Sequence, residues 1–396
     1  MKNYDVIIVG AGFAGSVMAE RFAGIGKKVL LIDKRSHIGG NMYDYLDENG
    51  VLVHRYGPHL FHCKDFFVLD YLRQFSDWYD YQHRVMGYVN GKIVPIPFNL
   101  HSIDLLFEKD EADKLKETLI NEYGMEQKVP ILVLRQSPDP KIRKLAEFIY
   151  EKVFKYYTMK QWDLTPEEID PKVTERVPVF VSYDDRYFQD EYQFLPKEGY
   201  TKIFEKMLNH PNIDVILNTK AEDVLKINFE EKKIYYQDHL FEGRFIFTGQ
   251  LDELMKYRYG KLAYRSLYFD LQSHDGFYQE TATVNYPTPK EEHAFTRITE
   301  FKHLMQNKPA KTTIAIEYPY PYEETAKKGN IPYYPVFTTE NETIYGQYVN
   351  SIKDFTQLIL LGRLAEFRYY NMDAIVKRSL EKFEELKTNI DPKDRT

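Results

Sequence analysis

The first thirty-three residues place their apolar side chains in two short runs separated by a helical stripe. The run Val6–Val9 contains β-branched residues and ends at a glycine, which predicts a buried parallel strand. Residues 28–32 predict a second strand. Between the two runs, apolar residues recur at helical spacing, namely Ala14, Val17, Met18 and Phe22. The chain therefore begins with a strand–helix–strand unit.

The rest of the chain is predicted to be first helical and then rich in strands. Residues 102–162 have a mostly helical pattern, and Asp139-Pro140 supplies a cap and a first-turn residue for the clearest helix. Strand-like segments recur over residues 264–318, which predicts a second, antiparallel sheet. Residues 358–361 are typical of a buried strand and residues 372–386 of a helix. We expect this last pair to return to the first domain.

A glycine-rich turn joins the first strand to the first helix. Gly10, Gly12 and Gly15 form G-x-G-x-x-G, in which the glycines allow a sharp bend and a close approach to a pyrophosphate. Asp33 lies 23 residues after Gly10, where a carboxylate can bind the ribose of an adenosine. The motif alone can be an ordinary turn. Strand, glycines, helix, strand and acid in this order predict a dinucleotide site.

Composition narrows the class of protein. A chain of 396 residues is long enough for two or three domains. Its net charge of −7 argues against general nucleic-acid binding, and no apolar run is long enough to span a membrane. The N-terminus enters a strand without the layout of a signal peptide. The single cysteine, Cys63, cannot form an intrachain disulfide, so we expect a cytoplasmic protein.

A cluster of His59, His62 and Cys63 could suggest a metal site. Zinc would need a fourth ligand at suitable spacing, and the sequence offers none. We therefore predict no metal and interpret the histidines as residues that line a pocket.

Several stretches from Val9 to Asp373 resemble bacterial UDP-galactopyranose mutases, which are flavoenzymes. They occur in the family's order over nearly the whole chain, and as an ordered set they are specific. The matching stretches are GAGFAG, KRSHIGGN, YGPHLFH, YYTMKQW, ERVPV with DDRYF, LPKEGYTK, TRITEFKH, IPYYPV and GRLAEFRYYNMD.

The resemblance implies a ring contraction that converts UDP-galactopyranose into UDP-galactofuranose without net redox. In that family, reduced FAD acts as a nucleophile through its N5 atom and forms a covalent adduct with the sugar while UDP leaves. The cofactor is therefore expected to be FAD in its reduced form, and the partner a UDP-sugar. Family members are usually homodimers.

The resemblance also assigns roles to individual residues. Arg176 and Arg297 match the family's two essential arginines, and a pyrophosphate leaving group needs such cations. With His62, they form the catalytic set. The expected substrate-binding residues are Tyr157, Thr158, Trp162, Tyr187, Tyr334, Tyr369, Asn90 and Glu317. The expected cofactor-binding residues are Gly10, Gly12, Phe13, Ala14, Gly15, Asp33, Lys34, Gly39, Gly40, Asn41, His59, Gly362, Arg363 and Met372.

Three positions depart from the family pattern. Asn371 replaces an aspartate that many members carry, although an asparagine there can cap the following helix. Phe180 replaces a common basic residue, which removes one possible charge near the diphosphate. Glu317 is separated from PYYP by four extra residues, so it is the weakest of the site assignments.

The expected fold is α/β, with a discontinuous Rossmann-like FAD-binding domain, an inserted helical bundle domain and an antiparallel β-sheet domain. The FAD-binding domain comprises residues 1–85, 198–250 and 342–396. The helical domain, residues 99–170, carries a mobile lid that includes Trp162 and closes over UDP. The substrate domain comprises residues 86–98, 171–197 and 251–341.

Other functions stay open at this level. A related sugar nucleotide, such as UDP-N-acetylgalactosamine or dTDP-fucose, could be the substrate, because the sequence does not reveal the size of the pocket. A flavin oxidoreductase of the amine oxidase type is a further alternative, since this fold hosts many reactions. A nucleotide-sugar-binding protein without turnover is the third.

Overall fold

A computed structural model describes residues 3–163 and 178–388 of the chain. Within these ranges the strands, in chain order, are β1 Val6–Val9, β2 Val29–Ile32, β3 Asp44–Leu46, β4 Leu52–His54, β5 Phe61–Cys63, β6 Trp78–Asp80, β7 Val85–Val89, β8 Lys92–Ile96, β9 Gln127–Val129, β10 Val179–Val181, β11 Tyr192–Pro196, β12 Ile213–Ile216, β13 Leu225–Asn228, β14 Lys233–Tyr236, β15 His239–Phe241, β16 Arg244–Phe247, β17 Tyr264–Asp275, β18 Thr283–Asn285, β19 Arg297–Glu300, β20 Lys311–Pro321, β21 Tyr334–Pro335 and β22 Leu358–Leu360. The α-helices are α1 Phe13–Gly24, α2 Phe66–Arg73, α3 Leu100–Leu106, α4 Lys109–Tyr123, α5 Ile131–Leu134, α6 Pro140–Ile149, α7 Lys155–Trp162, α8 Tyr200–Leu208, α9 Ala221–Val224, α10 Leu251–Leu254, α11 Thr339–Ile352 and α12 Met372–Thr388.

A parallel sheet forms the centre of the first domain. Its strands lie in the order β12-β2-β1-β16-β22, and each neighbouring pair is parallel. The last strand and α12 come from the end of the described chain, and the ring of Phe383 packs edge-on against Phe22 of α1. The predicted strand–helix–strand unit and the return of the terminal strand are both confirmed. The predicted α/β fold with a discontinuous Rossmann-like domain is confirmed with them.

A second sheet of seven strands carries the order β21-β17-β20-β19-β18-β7-β8. Its longest pairing joins β17 and β20, which run antiparallel from Arg265↔Pro321 to Asp275↔Lys311. The pair β7 and β18 is parallel, because the hairpin β7–β8 joins this sheet from an earlier part of the chain. The predicted second sheet is therefore present and antiparallel apart from this one pair.

The helical insertion lies between β8 and β10 and has its own core. Asp139 accepts a hydrogen bond from Lys141 N at 2.7 Å, and Pro140 begins α6, as predicted. The stripe of α6 is buried at Ile142, Leu145 and Ile149. A π-helical turn, Tyr150–Phe154, then leads into α7. Among the helices described here, none combines the length and apolarity that a bilayer span requires. The domain boundaries within the chain stay a prediction.

Asp44, at the start of β3, caps a helix that begins 156 residues later in the chain. Its carboxylate accepts hydrogen bonds from Tyr200 N at 2.6 Å and Thr201 N at 2.8 Å, the first amides of α8. The Thr201 hydroxyl donates to Asp44 O at 2.8 Å. Because the N-cap residue of α8 is Gly199, which has no side chain, the cap must come from elsewhere in the fold. Asp44 thus joins the β3–β4 hairpin to α8.

We predict that Asp44→Ala lowers the free energy of unfolding by about 2–4 kcal/mol, because two buried charge-assisted hydrogen bonds at a helix N-terminus are lost. Urea denaturation measures the change. The control is Asp110→Ala, at an exposed first-turn position of α4, which should change stability by less than about 0.5 kcal/mol. Equal effects of the two substitutions would contradict the role of Asp44.

Two histidines are buried in the described core. The ring of His54 packs against Tyr200 and Phe301, and its Nδ1 atom accepts a hydrogen bond from His59 N at 3.0 Å. His83 packs against the ring of Phe188. Burial lowers the pKa of both histidines, to about 3 for His83. Both rings are therefore neutral in the folded protein near pH 7.

This lowering makes stability depend on pH. An unfolded histidine binds a proton below about pH 6.5, and the folded protein does not allow this at His83 until about pH 3. Stability must therefore fall as the pH falls from about 6.5 towards 3. We predict that His83→Gln removes about 2 kcal/mol of the loss in unfolding free energy between pH 7 and pH 5. Denaturation curves at both pH values, with His239→Gln at an exposed position as control, test this. Parallel pH profiles for wild type and His83→Gln would refute it.

Candidate functional site

A cavity of about 1060 Å³ opens at the carboxyl ends of the parallel strands. It is lined by residues that end, or follow within two positions, four of the five strands of this sheet: Val9, Gly10, Asp33, Phe247, Thr248 and Gly362. Open parallel sheets bind their ligands at this edge. The position of the cavity therefore agrees with a dinucleotide site.

Most of the predicted cofactor-binding residues meet at this cavity. Thirteen of the fourteen line it, namely Gly10, Gly12, Phe13, Ala14, Asp33, Lys34, Gly39, Gly40, Asn41, His59, Gly362, Arg363 and Met372. Gly15 does not. A Cβ atom at Gly15 would lie 1.9 Å from Gly10 O, so this glycine allows α1 to pack closely on the turn. Its structural role is the helix–strand contact of the motif.

Two observations test whether a pyrophosphate-bearing cofactor fits these residues. The backbone at Gly40 approaches Gly12 so closely that a Cβ at Gly40 would lie 2.9 Å from Gly12 Cα. Arg35 also lines the cavity, and its Nη1 atom is buried without a hydrogen-bond partner. Its Nη2 atom donates to Asn41 Oδ1 at 2.8 Å. A backbone cradle near a guanidinium with one unpartnered nitrogen suits a phosphate group, so the residues fit a dinucleotide.

The predicted ribose-binding carboxylate is held rigidly beside the cavity. Asp33 Oδ2 accepts a hydrogen bond from Ala11 N, and Asp33 Oδ1 accepts one from Arg35 N, both at 2.8 Å. A carboxylate has further acceptor positions, so it can still receive a ribose hydroxyl.

Three of the five predicted substrate-binding aromatic residues, Trp162, Tyr334 and Tyr369, pack together next to the cavity as an aromatic stack, whereas Tyr187 packs against His83 and Phe188. The rings of Tyr334 and Tyr369 are parallel within 14° at 5.7 Å, and Trp162 lies 6.2 Å from Tyr334. The Arg363 guanidinium lies 5.1 Å from the Tyr334 ring and 4.9 Å from the Tyr369 ring. Because Arg363 also lines the cavity, it joins the cofactor region to this aromatic stack.

Arg297 is a charged residue close to Tyr334 of the aromatic stack. Its Nη2 atom lies 2.7 Å from Glu317 Oε2, and its Nε atom donates to the same oxygen at 2.9 Å. Burial alone would lower the pKa of Arg297, but the Glu317 carboxylate, together with Tyr157 and Tyr334, raises it. The guanidinium is therefore permanently charged. Burial raises the pKa of Tyr157, on which the charges of Arg297 and Glu317 also act, so its hydroxyl is a neutral donor.

The two predicted histidines differ in their surroundings. His62 Nδ1 lies 2.9 Å from Asp190 Oδ2, and the ring stacks on Phe188 at 3.7 Å. The hydrogen bond from His62 holds the pKa of Asp190 below its usual range. His59 lies beside the cavity, where burial lowers its pKa to about 3, with smaller contributions from His54 and from the positive charge of Arg363. His59 is thus neutral, whereas His62 is fixed by a carboxylate.

Other predicted residues stand apart. Asn90 occupies the exposed turn of the β7–β8 hairpin with φ 50°, and no hydrogen bond, ion pair or ring contact among the described residues joins it to the aromatic stack. Thr158 lies half-buried on α7 beside Tyr157. Arg176 falls outside the residues that the structure describes. In residues 3–163 and 178–388 no three His, Cys, Asp or Glu side chains are grouped to hold a metal ion.

The two substituted positions among the three departures from the family pattern fall in different places. Phe180 is buried in β10, where Lys128 Nζ lies 5.7 Å from its ring, so its surroundings are those of the helical insertion. Asn371 is exposed and lines the cofactor cavity immediately before α12.

Sequence reasoning missed several residues of the site. Arg35 adjoins the predicted Lys34, and Tyr333 adjoins Tyr334, so both lay inside motifs that were recognised. Asp190 and Arg265 had no local signal, because their partners His62 and Gln161 are 128 and 104 residues away. Only the folded chain reveals such pairs.

Comparison with known proteins identifies the family of the chain. A sequence model of the family described as UDP-galactopyranose mutase matches residues 152–369, more than half of the chain. A model described as an NAD(P)-binding Rossmann-like domain matches residues 8–75, which contain the glycine turn and Asp33.

Individual relatives match almost end to end. A UDP-galactopyranose mutase of Mycoplasma genitalium is 35% identical, over 98% of this chain and 95% of its own length. A probable UDP-galactopyranose mutase of Klebsiella pneumoniae is 33% identical, over 98% of this chain and 96% of its own. A dTDP-fucopyranose mutase of Escherichia coli is 32% identical, over 95% of this chain and 96% of its own.

Solved structures show the same fold. A crystal structure of a reduced UDP-galactopyranose mutase has a TM-score of 0.71 at 16% identity, covering 98% of this chain and 95% of that chain. A putrescine oxidase variant has a TM-score of 0.59 at 12% identity, covering 98% of this chain and 99% of that one. At these identities the structural likeness concerns the fold alone. From the family match and the near full-length relatives, the chain belongs to the UDP-galactopyranose mutase family, a family of isomerases, and FAD is its cofactor.

Proposed function

We propose that the chain interconverts UDP-galactopyranose and UDP-galactofuranose by ring contraction, without net redox. The observation that carries this proposal is the arrangement around Arg363. This side chain lines the cofactor cavity and also lies over the rings of Tyr334 and Tyr369. A sugar nucleotide bound on those tyrosines is therefore next to the cofactor, as a reaction between the two requires.

The charged residues suit a departing nucleoside diphosphate. Arg297 is permanently charged, and Arg176 is assigned to the same task by resemblance. The hydroxyls of Tyr187, Tyr334 and Tyr369 donate hydrogen bonds to phosphate oxygens without adding charge. Glu317 is 1% exposed and fixes the fork of Arg297 rather than contacting the ligand's phosphates, which it would repel.

The remaining residues complete a uridine and sugar site. Tyr157, Thr158 and Trp162 lie on one helix, where aromatic rings can cover a flat base. Asp190 binds one ring nitrogen of His62 and leaves the other for a sugar hydroxyl. Bound and reduced, FAD supplies an electron-rich ring nitrogen that can act as a nucleophile. The protein binds the nucleotide, orients the sugar and excludes water.

We propose that the cofactor is held by the residues that line the cavity. The amides at the start of α1 and the backbone at Gly12 and Gly40 face the pyrophosphate, and Arg35 supplies the cation. Asp33 binds the ribose, and Arg363 lies on the side of the cavity that adjoins the substrate. Met372 and Asn371, at the start of α12, close the cavity.

A second substrate is favoured by one comparison. The dTDP-fucopyranose mutase matches this chain about as well as the UDP-galactopyranose mutases do, so overall identity does not separate the two. UDP-N-acetylgalactosamine is a third candidate. The amine oxidase alternative has only the likeness of fold to a putrescine oxidase in its favour. The arginines Arg297 and Arg363 and the neighbouring tyrosines suit an anionic substrate better than an amine.

We further propose that the chain works as a homodimer in the cytoplasm, in the synthesis of cell-surface polysaccharide. The free, buried thiol of Cys63 is compatible with a reducing compartment. Analytical ultracentrifugation of the FAD-loaded protein tests the dimer, and a sedimentation coefficient of a 47.1 kDa particle would refute it.

We predict that the dithionite-reduced holoenzyme converts UDP-galactopyranose into the furanose form and that the oxidised holoenzyme does not. Anaerobic incubation with UDP-galactopyranose, dTDP-fucopyranose and UDP-N-acetylgalactosamine, followed by chromatography of the products, gives kcat/KM for each. The highest value is expected for UDP-galactopyranose. A higher value for another nucleotide would change the substrate, and hydrogen peroxide formed in proportion to a substrate would indicate an oxidase.

Two Arg297 variants test the role of this cation in the same assay. Arg297→Ala should lower kcat/KM roughly 10²- to 10³-fold, because a fixed cation on the diphosphate is lost. Arg297→Lys keeps the charge beside Glu317 and should retain more activity. If the reduced protein binds UDP but neither wild type nor variant turns over any sugar nucleotide, the chain is a binding protein.

We also predict that Gly40→Ala abolishes retention of FAD. Gly40 has φ 56°, and the added methyl would press against the backbone of Gly12 where the pyrophosphate approaches. The ratio of flavin absorbance to protein measures retention. Gly26→Ala is a matched control, because Gly26 also has a positive φ, 83°, but no atom within 4 Å of the added methyl. Equal flavin content in both variants would argue against the cradle.

A further inference from the structure

Lys160 is a buried cation that lies outside the residues assigned to substrate or cofactor. It sits on α7, between Tyr157 and Trp162, and is 8% exposed. Its ammonium donates to three backbone carbonyl oxygens: Tyr286 O at 2.7 Å, His293 O at 2.9 Å and Phe295 O at 2.7 Å. All three of its N–H groups are thus used. The three acceptors lie in the segment that enters β19 at Arg297.

Arg265 is a second buried cation that binds the same helix. It is 5% exposed, and its Nε atom donates to Gln161 O at 2.9 Å while Nη2 donates to Lys160 O at 3.3 Å. These are carbonyls of the last helical turn, which have no partner within the helix and attract positive charge. Arg265 lies on β17 and pairs in register with Tyr334 of β21.

The two cations therefore attach α7 to two parts of the large sheet. Lys160 ties the helix to the segment before Arg297, and Arg265 ties it to the strand beside Tyr334. Aromatic packing surrounds the first attachment, since the ring of Tyr286 lies 4.9 Å from His293 and 4.8 Å from Phe295. Moving α7 would break five hydrogen bonds from charged donors together. Such bonds are the stronger class in proteins.

We propose that Lys160 and Arg265 are positioning residues that hold α7 against the large sheet, so that Tyr157 and Trp162 form a fixed wall of the nucleotide site. This inference rests on the proposed function for the identity of the ligand, a uridine nucleotide. It differs from the sequence-based expectation that Trp162 moves with a closing lid. The helix sets the distance between the base-binding rings and the cation at Arg297, and it does so before the ligand arrives.

Time-resolved fluorescence anisotropy of Trp162 tests the fixed wall without any turnover. The FAD-loaded protein carrying Trp78→Phe leaves Trp162 as the single tryptophan. We expect the anisotropy of Trp162 to show no fast local decay in the protein without UDP, and none after UDP is added. A fast decay that UDP suppresses would overturn the proposal, because it would show a wall that closes on the ligand.

Lys160→Met removes the ammonium and keeps an unbranched stem. We expect the Kd for UDP and the KM to rise on the order of 10-fold, with kcat changing much less, because three carbonyls lose their donor and the wall loosens. The fast decay of Trp162 should appear in the same variant. Lys152→Met, at an exposed position of the preceding π-helical turn, is the matched control and should leave all these values unchanged.

Lys160→Gln provides a second variant if Lys160→Met does not fold, since an amide keeps two N–H donors without the charge. It should give the same changes in smaller degree. Unchanged Kd, KM and anisotropy in a folded Lys160 variant would refute the positioning role. The two proposals fail separately. Absence of mutase activity or of UDP binding refutes the proposed function. A fast anisotropy decay of Trp162 in the protein without UDP refutes the fixed wall, whatever the activity.

Discussion

The contact of Arg363 with both halves of the site is the interaction on which the arrangement depends. Its Nη2 atom donates to Tyr370 O at 2.6 Å and its Nη1 atom to Tyr333 O at 3.2 Å. These bonds fix the guanidinium, which faces the cofactor cavity and the rings of Tyr334 and Tyr369. Arg363 follows β22, the last strand of the parallel sheet. The return of the chain to the first domain therefore positions the residue that joins the cavity to these rings.

The charge state of each residue in the site depends on how far it is buried and on whether it has a charged partner. The buried carboxylate of Glu317 would be costly alone, and the half-buried guanidinium of Arg297 offsets that cost with two contacts to one oxygen. His59 lies near the same cations and is held neutral, so it adds no positive charge beside the cofactor. Around the aromatic stack, the permanent positive charge thus lies on Arg297 and Arg363, whose geometry suits phosphate groups, and the tyrosines are neutral donors.

The sequence revealed those parts of the fold and the site whose signals are local. The glycine turn, the strands around it and Asp33 are recognisable within thirty residues, and the structure places them at one cavity. Arg297 and the substrate tyrosines were assigned through the family resemblance, because a single arginine or tyrosine carries no local signal. The structure now shows Tyr334 and Tyr369 in one stack.

What the sequence could not show depends on contacts between distant segments. The cap that Asp44 gives to α8 and the pairing of Asp190 with His62 join residues more than a hundred positions apart. A lysine in the YYTMKQW stretch is ordinarily solvated, and only the fold reveals that Lys160 is desolvated among three carbonyls. Local pattern predicts elements, whereas the positions of polar groups in the core follow from packing.

Substrate choice depends on which part of the nucleotide each residue contacts. In the proposed function, arginines and tyrosines bind the diphosphate that all candidate nucleotides share, and such contacts would raise affinity without selecting a sugar. Selection between a hydroxymethyl and a methyl group, or between a hydroxyl and an N-acetyl group, needs polar residues close to the ring, where an unmatched buried donor is penalised. His62 is the predicted sugar-side residue that a second side chain, Asp190, holds in place. If the chain has the proposed function, we therefore expect its selectivity among sugars to depend on the neighbourhood of that pair rather than on the cations and tyrosines assigned to the nucleotide.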